Sequence, residues 1–191
     1  MEWILIVVLL VALVGAGVVI ARQRRSQQLQ AGFGPEYGRT LADHGDRHAA
    51  EDELRERRER HEQLEIRELE PEARERYAER WRGAQRTFVD QPAEAVGEAD
   101  ALVSEVMSER GYPVEDDFDR RAADVSVEHP VVVENYRSAH EISGRAGRDE
   151  ASTEDLRQAM IHFRALFEEL LGGEDRPRGR TSEDINQETR S

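Results

Sequence analysis

His44 and His48 stand four residues apart in the run DHGDRHAAED, with Asp43, Asp46, Glu51 and Asp52 close by. On an unbroken helix that spacing sets two imidazoles on one face, as a bound metal ion would require. Gly45 lies between them and weakens the helix, and no third histidine is fixed beside the pair. A helix-boundary cap surrounded by surface charges accounts for the same residues. Glu115, Asp116, Asp117 and Asp119 concentrate oxygen ligands that hard cations accept. The glycine turn and distal glutamate of a calcium loop are missing, so an acidic linker with Phe118 docked on a helical domain is the simpler reading. His162 lies beside an apolar stripe and reads as a partly buried structural histidine. The aromatics Tyr77, Trp81, Phe88, Tyr136, Phe163 and Phe167 could line a ligand groove, but their helical spacing is that of core residues.

Composition removes several chemistries outright. All 27 basic residues are arginine and there is no cysteine. Schiff-base lysines, phosphate-loop lysines, thiolate metal sites and thiol nucleophiles are therefore excluded. No G-x-S-x-G, G-x-G-x-x-G or phosphate-binding loop occurs. No catalytic, cofactor-binding or metal-ligating residue is assigned from the sequence, and the chain reads as non-enzymatic. The net charge of −14 argues against nucleic acid, whose binding draws on neutralised phosphates. The charge is uneven. Residues 48–86 hold twelve acids and ten arginines, whereas residues 90–135 hold thirteen acids and three arginines. A partner selected by this field would be basic.

The elements that must carry these residues begin with a membrane-like segment. Nineteen residues from Trp3 to Ala21 carry no charge, and at about 1.5 Å each they span roughly 28 Å, near the thickness of a bilayer's hydrocarbon core. A cleaved signal would need a basic start and an apolar run of about 7–15 residues. Here Glu2 precedes the run, Trp3 suits one headgroup boundary, and Arg22, Arg24 and Arg25 crowd the other. The expectation is a single-pass transmembrane helix anchored in the lipid bilayer through residues 3–21, N-terminus outside, with the remainder cytoplasmic. Ala12 and Ala16, then Gly17 and Ala21, are small residues four apart that would let two such helices approach, so a homodimer is a second association open to the chain.

Residues 1–30 thus form an anchor with a basic juxtamembrane end. Residues 31–69 read as a hinge, with a turn or two of helix from Pro35, followed by a charged helix. That helix has a thin apolar face of Ala50, Leu54, His61 and Leu64, suiting a solvated spacer better than a coiled coil. Residues 70–172 form four amphipathic stripes. Pro71 opens Ala73, Tyr77, Trp81, Ala84 and Phe88; Pro92 opens Val96, Ala99, Leu102, Val103, Val106 and Met107, closed by Gly111. Pro130 opens Val133, Tyr136, Ala139 and His140; Ser152 caps Leu156, Met160, Phe163, Phe167 and Leu170. Four such stripes bury one another in a small helical bundle. With no alternating strand pattern the fold class is all-α, and residues 173–191 read as a disordered tail.

The runs FGPEYGRTL, LEPEARERYAERWRGAQRTFVDQPAEAVGEADALVSEVMSERGYP and STEDLRQAMIHFRALFEELL resemble an uncharacterised actinobacterial family of short single-pass membrane proteins. The resemblance covers roughly residues 33–171. It implies a membrane location and a helical soluble domain, and brings no site residue. The functional expectation is a membrane-anchored helical protein presenting an acidic cytoplasmic surface to a protein partner. The alternative is an envelope-associated regulatory domain that binds a metal ion or small ligand at 115–119 or at the histidine pair.

Overall fold

The computed structural model describes the backbone of residues 2–114 and 117–172; within the first part of the chain, side chains are described at 3, 15–17 and from 20 onward. The expected tail at 173–191 and two acids of the 115–119 run lie outside the described residues, as do most side chains of the expected membrane segment. The described chain is all-helical, with eight helices: α1 (Glu2–Phe33), α2 (Pro35–His44), α3 (Arg47–Glu62), α4 (Pro71–Asp90), α5 (Pro92–Arg110), α6 (Phe118–Glu128), α7 (Val133–Ala146) and α8 (Thr153–Leu170). Among the described residues no helix is long and apolar enough to cross a membrane. Of the small residues expected to pair two such helices, Ala16, Gly17 and Ala21 are exposed.

The helices fall into two compact units. The first comprises residues 1–65 and 115–134; the second comprises residues 66–114 and 135–191. In the first unit α1 runs unbroken to Phe33, where Gly34 turns the chain and Pro35 opens α2. The stretch expected to be a hinge is therefore ordered helix. Leu29 and Phe33 of α1, Tyr37 of α2 and Leu54 of α3 form one buried cluster, with Leu41 and Val127 against it. The charged helix α3 is likewise no solvated spacer, because Ala50 and Leu54 are fully buried. Two apolar residues one turn apart suffice for docking because neighbouring arginines lie along the protein with their heads paired, as Arg57 does. The helix around Phe118 also differs from expectation. As α6 it groups with α1–α3, where Ala122, Ala123 and Val125 are buried.

The second unit follows the sequence pattern closely. Gln91 alone separates α4 from α5, and Pro92 sits at the first turn of α5, where its missing N–H costs no hydrogen bond. Gly111 closes α5 at φ 100°, a backbone conformation that side chains resist. Ser152 caps α8 reciprocally with Asp155. Every predicted stripe residue of α5 and α8 is buried. Helix α7 begins at Val133 rather than Pro130, since residues 130–132 form a turn.

Leu54→Ala is expected to destabilise the first unit by about 2–5 kcal/mol, the usual cost of emptying a tight core position. Urea unfolding of the full chain measures it; a change within about 0.5 kcal/mol would show that α3 is a surface helix after all.

Candidate functional site

The first unit carries a polar network that no sequence motif announces. Ser26 lies one turn before Leu29 on the same face of α1, so burying the apolar pair draws its hydroxyl inside, where it is 3 % exposed. Its Oγ donates to Glu51 Oε1 at 2.7 Å. The Tyr37 hydroxyl from α2 donates to the same oxygen at 2.9 Å, and Arg47 Nε from the start of α3 does so at 2.9 Å. The Arg47 guanidinium also reaches Ser26 Oγ. One carboxylate oxygen thus collects donors from three helices. Burial alone would push the Glu51 carboxyl up, but the hydrogen bonds from Arg47, Ser26 and Tyr37 outweigh it and hold the group below its ordinary value.

One turn away, Glu36 is 3 % exposed and accepts from Arg57 at 2.9 Å; Arg57 Nε reaches Glu53 at 2.8 Å. The Arg57 hydrogen bond is the main reason that Glu53 also sits low. On α6, Asp124 is buried with Arg60 Nε 3.5 Å away. Here burial dominates and pushes the carboxyl up, against the pull of Arg60. The imidazoles of His61 and His129 lie 3.9 and 3.7 Å from Glu128. The network joins helices. Its carboxylates Glu51, Glu36 and Asp124 each face an arginine.

His44 and His48, paired in the sequence, are separated by a chain reversal: α2 ends at His44, Gly45 adopts φ 66°, and Asp46 caps α3 by accepting from the Ala49 N–H at 2.9 Å. Both histidines are exposed. Asp117 likewise serves as a cap, accepting from the Arg120 N–H. Among the described residues no group of three or more acidic or histidine side chains is arranged to hold a metal ion. Four of the six candidate aromatics contact one another: Trp81 stacks on Phe167 at 4.7 Å and Tyr136 meets Phe163 edge-on at 6.3 Å. His162 is half-buried beside the α8 stripe, as expected.

The acidic stretch 90–135 divides into paired and unpaired groups. On α5, Glu105 pairs with Arg80 through both oxygens, Glu109 accepts from Arg76 at 3.0 Å and from the Tyr77 hydroxyl at 2.5 Å, and Asp100 lies 3.2 Å from His140. Asp90, Glu94 and Glu98 are exposed and have no ion-pair partner among the described residues. Glu98 lines an open groove of about 370 Å³ between α4 and α5, with Arg80, Gly83, Ala84 and Thr87 on one side and Ala101 and Leu102 beside it on the other. The free negative field among the described residues is therefore narrower than the sequence count implies, and one of its members, Glu98, lines a shallow apolar depression. Compared with known proteins, the chain matches no family model, no curated protein and no solved structure.

Because folding lowers the Glu51 value, its contribution is full above the ordinary carboxylate range and is lost as pH falls through the folded value. Glu51→Gln is expected to cost about 1–3 kcal/mol at pH 7 and much less at pH 3. Asp124 has the opposite sign, so Asp124→Asn should be nearly neutral at pH 7. Urea unfolding at both pH values tests the pair; equal losses for Glu51→Gln at the two values would contradict the assignment.

Proposed function

We propose that the chain is a membrane-tethered, non-catalytic interaction protein whose second unit offers an acidic groove to a basic protein partner. One observation carries the tether: the nineteen uncharged residues from Trp3 to Ala21 stand at the head of a helix that continues to Phe33, with Arg22, Arg24 and Arg25 exposed directly after them. Arginines gathered at one end of an apolar helix favour the cytoplasmic side, which puts the N-terminus outside and both units inside. The resemblance to short single-pass actinobacterial membrane proteins points the same way.

The acidic groove supports the choice of partner. Arg80 is neutralised by Glu105, which leaves Glu98 as the uncompensated charge lining an apolar depression, with Glu94 one turn before it on the exposed side of α5. Such a surface attracts a cationic segment and repels an anionic one. Tethering raises the local concentration of other membrane-bound proteins, so weak binding suffices. The absence of lysine and cysteine and the pairing of buried carboxylates with arginine support a non-catalytic role.

C-terminal fusions to a reporter active only in the cytoplasm and to one active only outside test the tether and its direction in cells. The cytoplasmic reporter is expected to be active and the outside reporter silent, and replacing Arg22, Arg24 and Arg25 with glutamine should erode that asymmetry. Activity of the outside reporter alone, or recovery of the unaltered chain entirely outside the membrane fraction, would overturn the proposal.

A further inference from the structure

We propose that the end of the first unit marked by Arg22 on α1 and Arg47 on α3 is a binding surface for anionic lipid headgroups, so that this unit rests on the bilayer. Side-chain contacts fix how the helices lie. Ser26 meets Glu51 at 2.7 Å, and the Arg58 guanidinium lies over the Phe33 ring at 5.4 Å. Seven residues separate Ser26 from Phe33 and Glu51 from Arg58, so α3 runs beside α1 in the same direction and in step. Carried back one turn, the same step sets Arg47 level with Arg22. Helix α2 leaves α1 at Gly34 and has to return toward that level before α3 begins, so the corner from His44 to Arg47 forms this end of the unit.

Depth, face and charge name the ligand. The inference rests on the reading of residues 3–21 as a membrane anchor, whose apolar run stops at Ala21, one residue before Arg22. A headgroup layer is roughly 5–7 Å thick on each side of the hydrocarbon. Ser26, five residues past Ala21, lies roughly 7 Å beyond the run. Arg22 and Arg47 therefore stand within that layer and Ser26 at its edge. Arg22 is four residues before Ser26 and shares its face of α1, whereas Arg24 is about 200° away around the helix. Arg22, Arg24 and Arg47 are all exposed. The Arg47 side chain donates inward to Glu51 and Ser26 yet stays 57% exposed, and a guanidinium has further N–H groups to offer. The acids at the corner are engaged, since Asp43 lies 3.6 Å from Arg39 and Asp46 caps α3. Two exposed guanidinium groups at one depth on adjacent helices suit a phosphate oxyanion, which arginine meets with a planar pair of donors. The anchor places that phosphate in a lipid.

The full chain in lipid nanodiscs tests the inference by two readings. Spin-labelled phosphatidylglycerol and phosphatidylcholine, added in turn, report by electron spin resonance which lipid the protein immobilises. We expect a preference for phosphatidylglycerol that falls at least about twofold with Arg22→Gln and with Arg47→Gln, and much less with Arg24→Gln, which removes the same charge from the other face of α1. Arg22 lies outside the Glu51 network, so its variant reads the surface even where Arg47→Gln loosens the unit. In the second reading, a spin label on His48→Cys at the corner should be relaxed by nickel-chelating lipid headgroups far more strongly than one on Glu62→Cys, an exposed position roughly 21 Å further along α3. No lipid preference, an equal fall for Arg22→Gln and Arg24→Gln, or equal relaxation of the two labels in a chain that has entered the discs would each overturn the inference and leave the tether standing. A chain that never enters the discs would overturn both.

Discussion

The first unit depends on how one partly buried carboxylate is satisfied. Taking an ionised carboxylate out of water costs several kcal/mol unless donors replace the lost hydration. Glu51 has Ser26, Tyr37 and Arg47 converging on one oxygen, each from a different part of the unit. These donors exist together only when α1, α2 and α3 hold one mutual arrangement. A slip of α1 by a single residue would carry Ser26 about 100° around the helix and leave the carboxylate short of a partner. The network therefore selects a register, and the adjoining apolar cluster of Leu29, Phe33, Tyr37 and Leu54 supplies much of the burial that makes the selection matter.

The two units solve the stability problem differently. The second is a conventional helical core in which Val96, Val103, Val106, Met107, Phe163, Leu166 and Leu170 are almost wholly buried and aromatic pairs tie α4 and α7 to α8. Its exposed arginine–glutamate pairs contribute little each, because water screens them and long side chains lose entropy in forming them. The first unit has fewer large apolar residues and relies on buried pairs such as Glu36–Arg57. Arginine suits such pairing because its planar head donates in several directions at once, as Arg57 does toward Glu36 and Glu53. Losing one member of such a set would strand the others away from water.

Most of the second unit was legible in the sequence because its signals are local. Proline at helix starts, glycine at ends, the Ser152 cap and apolar residues three or four apart each report on one helix at a time. The first unit was less legible. Glu36 follows Pro35 at a helix start, where an acid is ordinary, and nothing near it reveals that Arg57 will cover it from another helix. Ser26 sits in a polar run behind the arginines and reads as solvated; only the position of Glu51 makes it internal. Helix α6 looked like a docked linker because five of the residues from Glu115 to Arg120 are charged, while its buried residues, Ala122, Ala123 and Val125, are small. Gly45 was legible as a helix breaker between His44 and His48, since a left-handed glycine at a helix end is a local property. The acidity of 90–135 was read as one field, and pairing with Arg76 and Arg80 across α4 and α5 takes Glu109 and Glu105 out of it.

The most direct test of this account is the distance between α1 and α3, measured by electron spin resonance on spin labels attached to Gln28→Cys and Asp52→Cys, both exposed sites in a cysteine-free chain. A register fixed at Glu51 predicts one narrow distance distribution that broadens when Glu51→Gln is added. A broad distribution in the otherwise unaltered chain, or a narrow one that ignores the substitution, would contradict the claim that this carboxylate sets the arrangement of the first three helices.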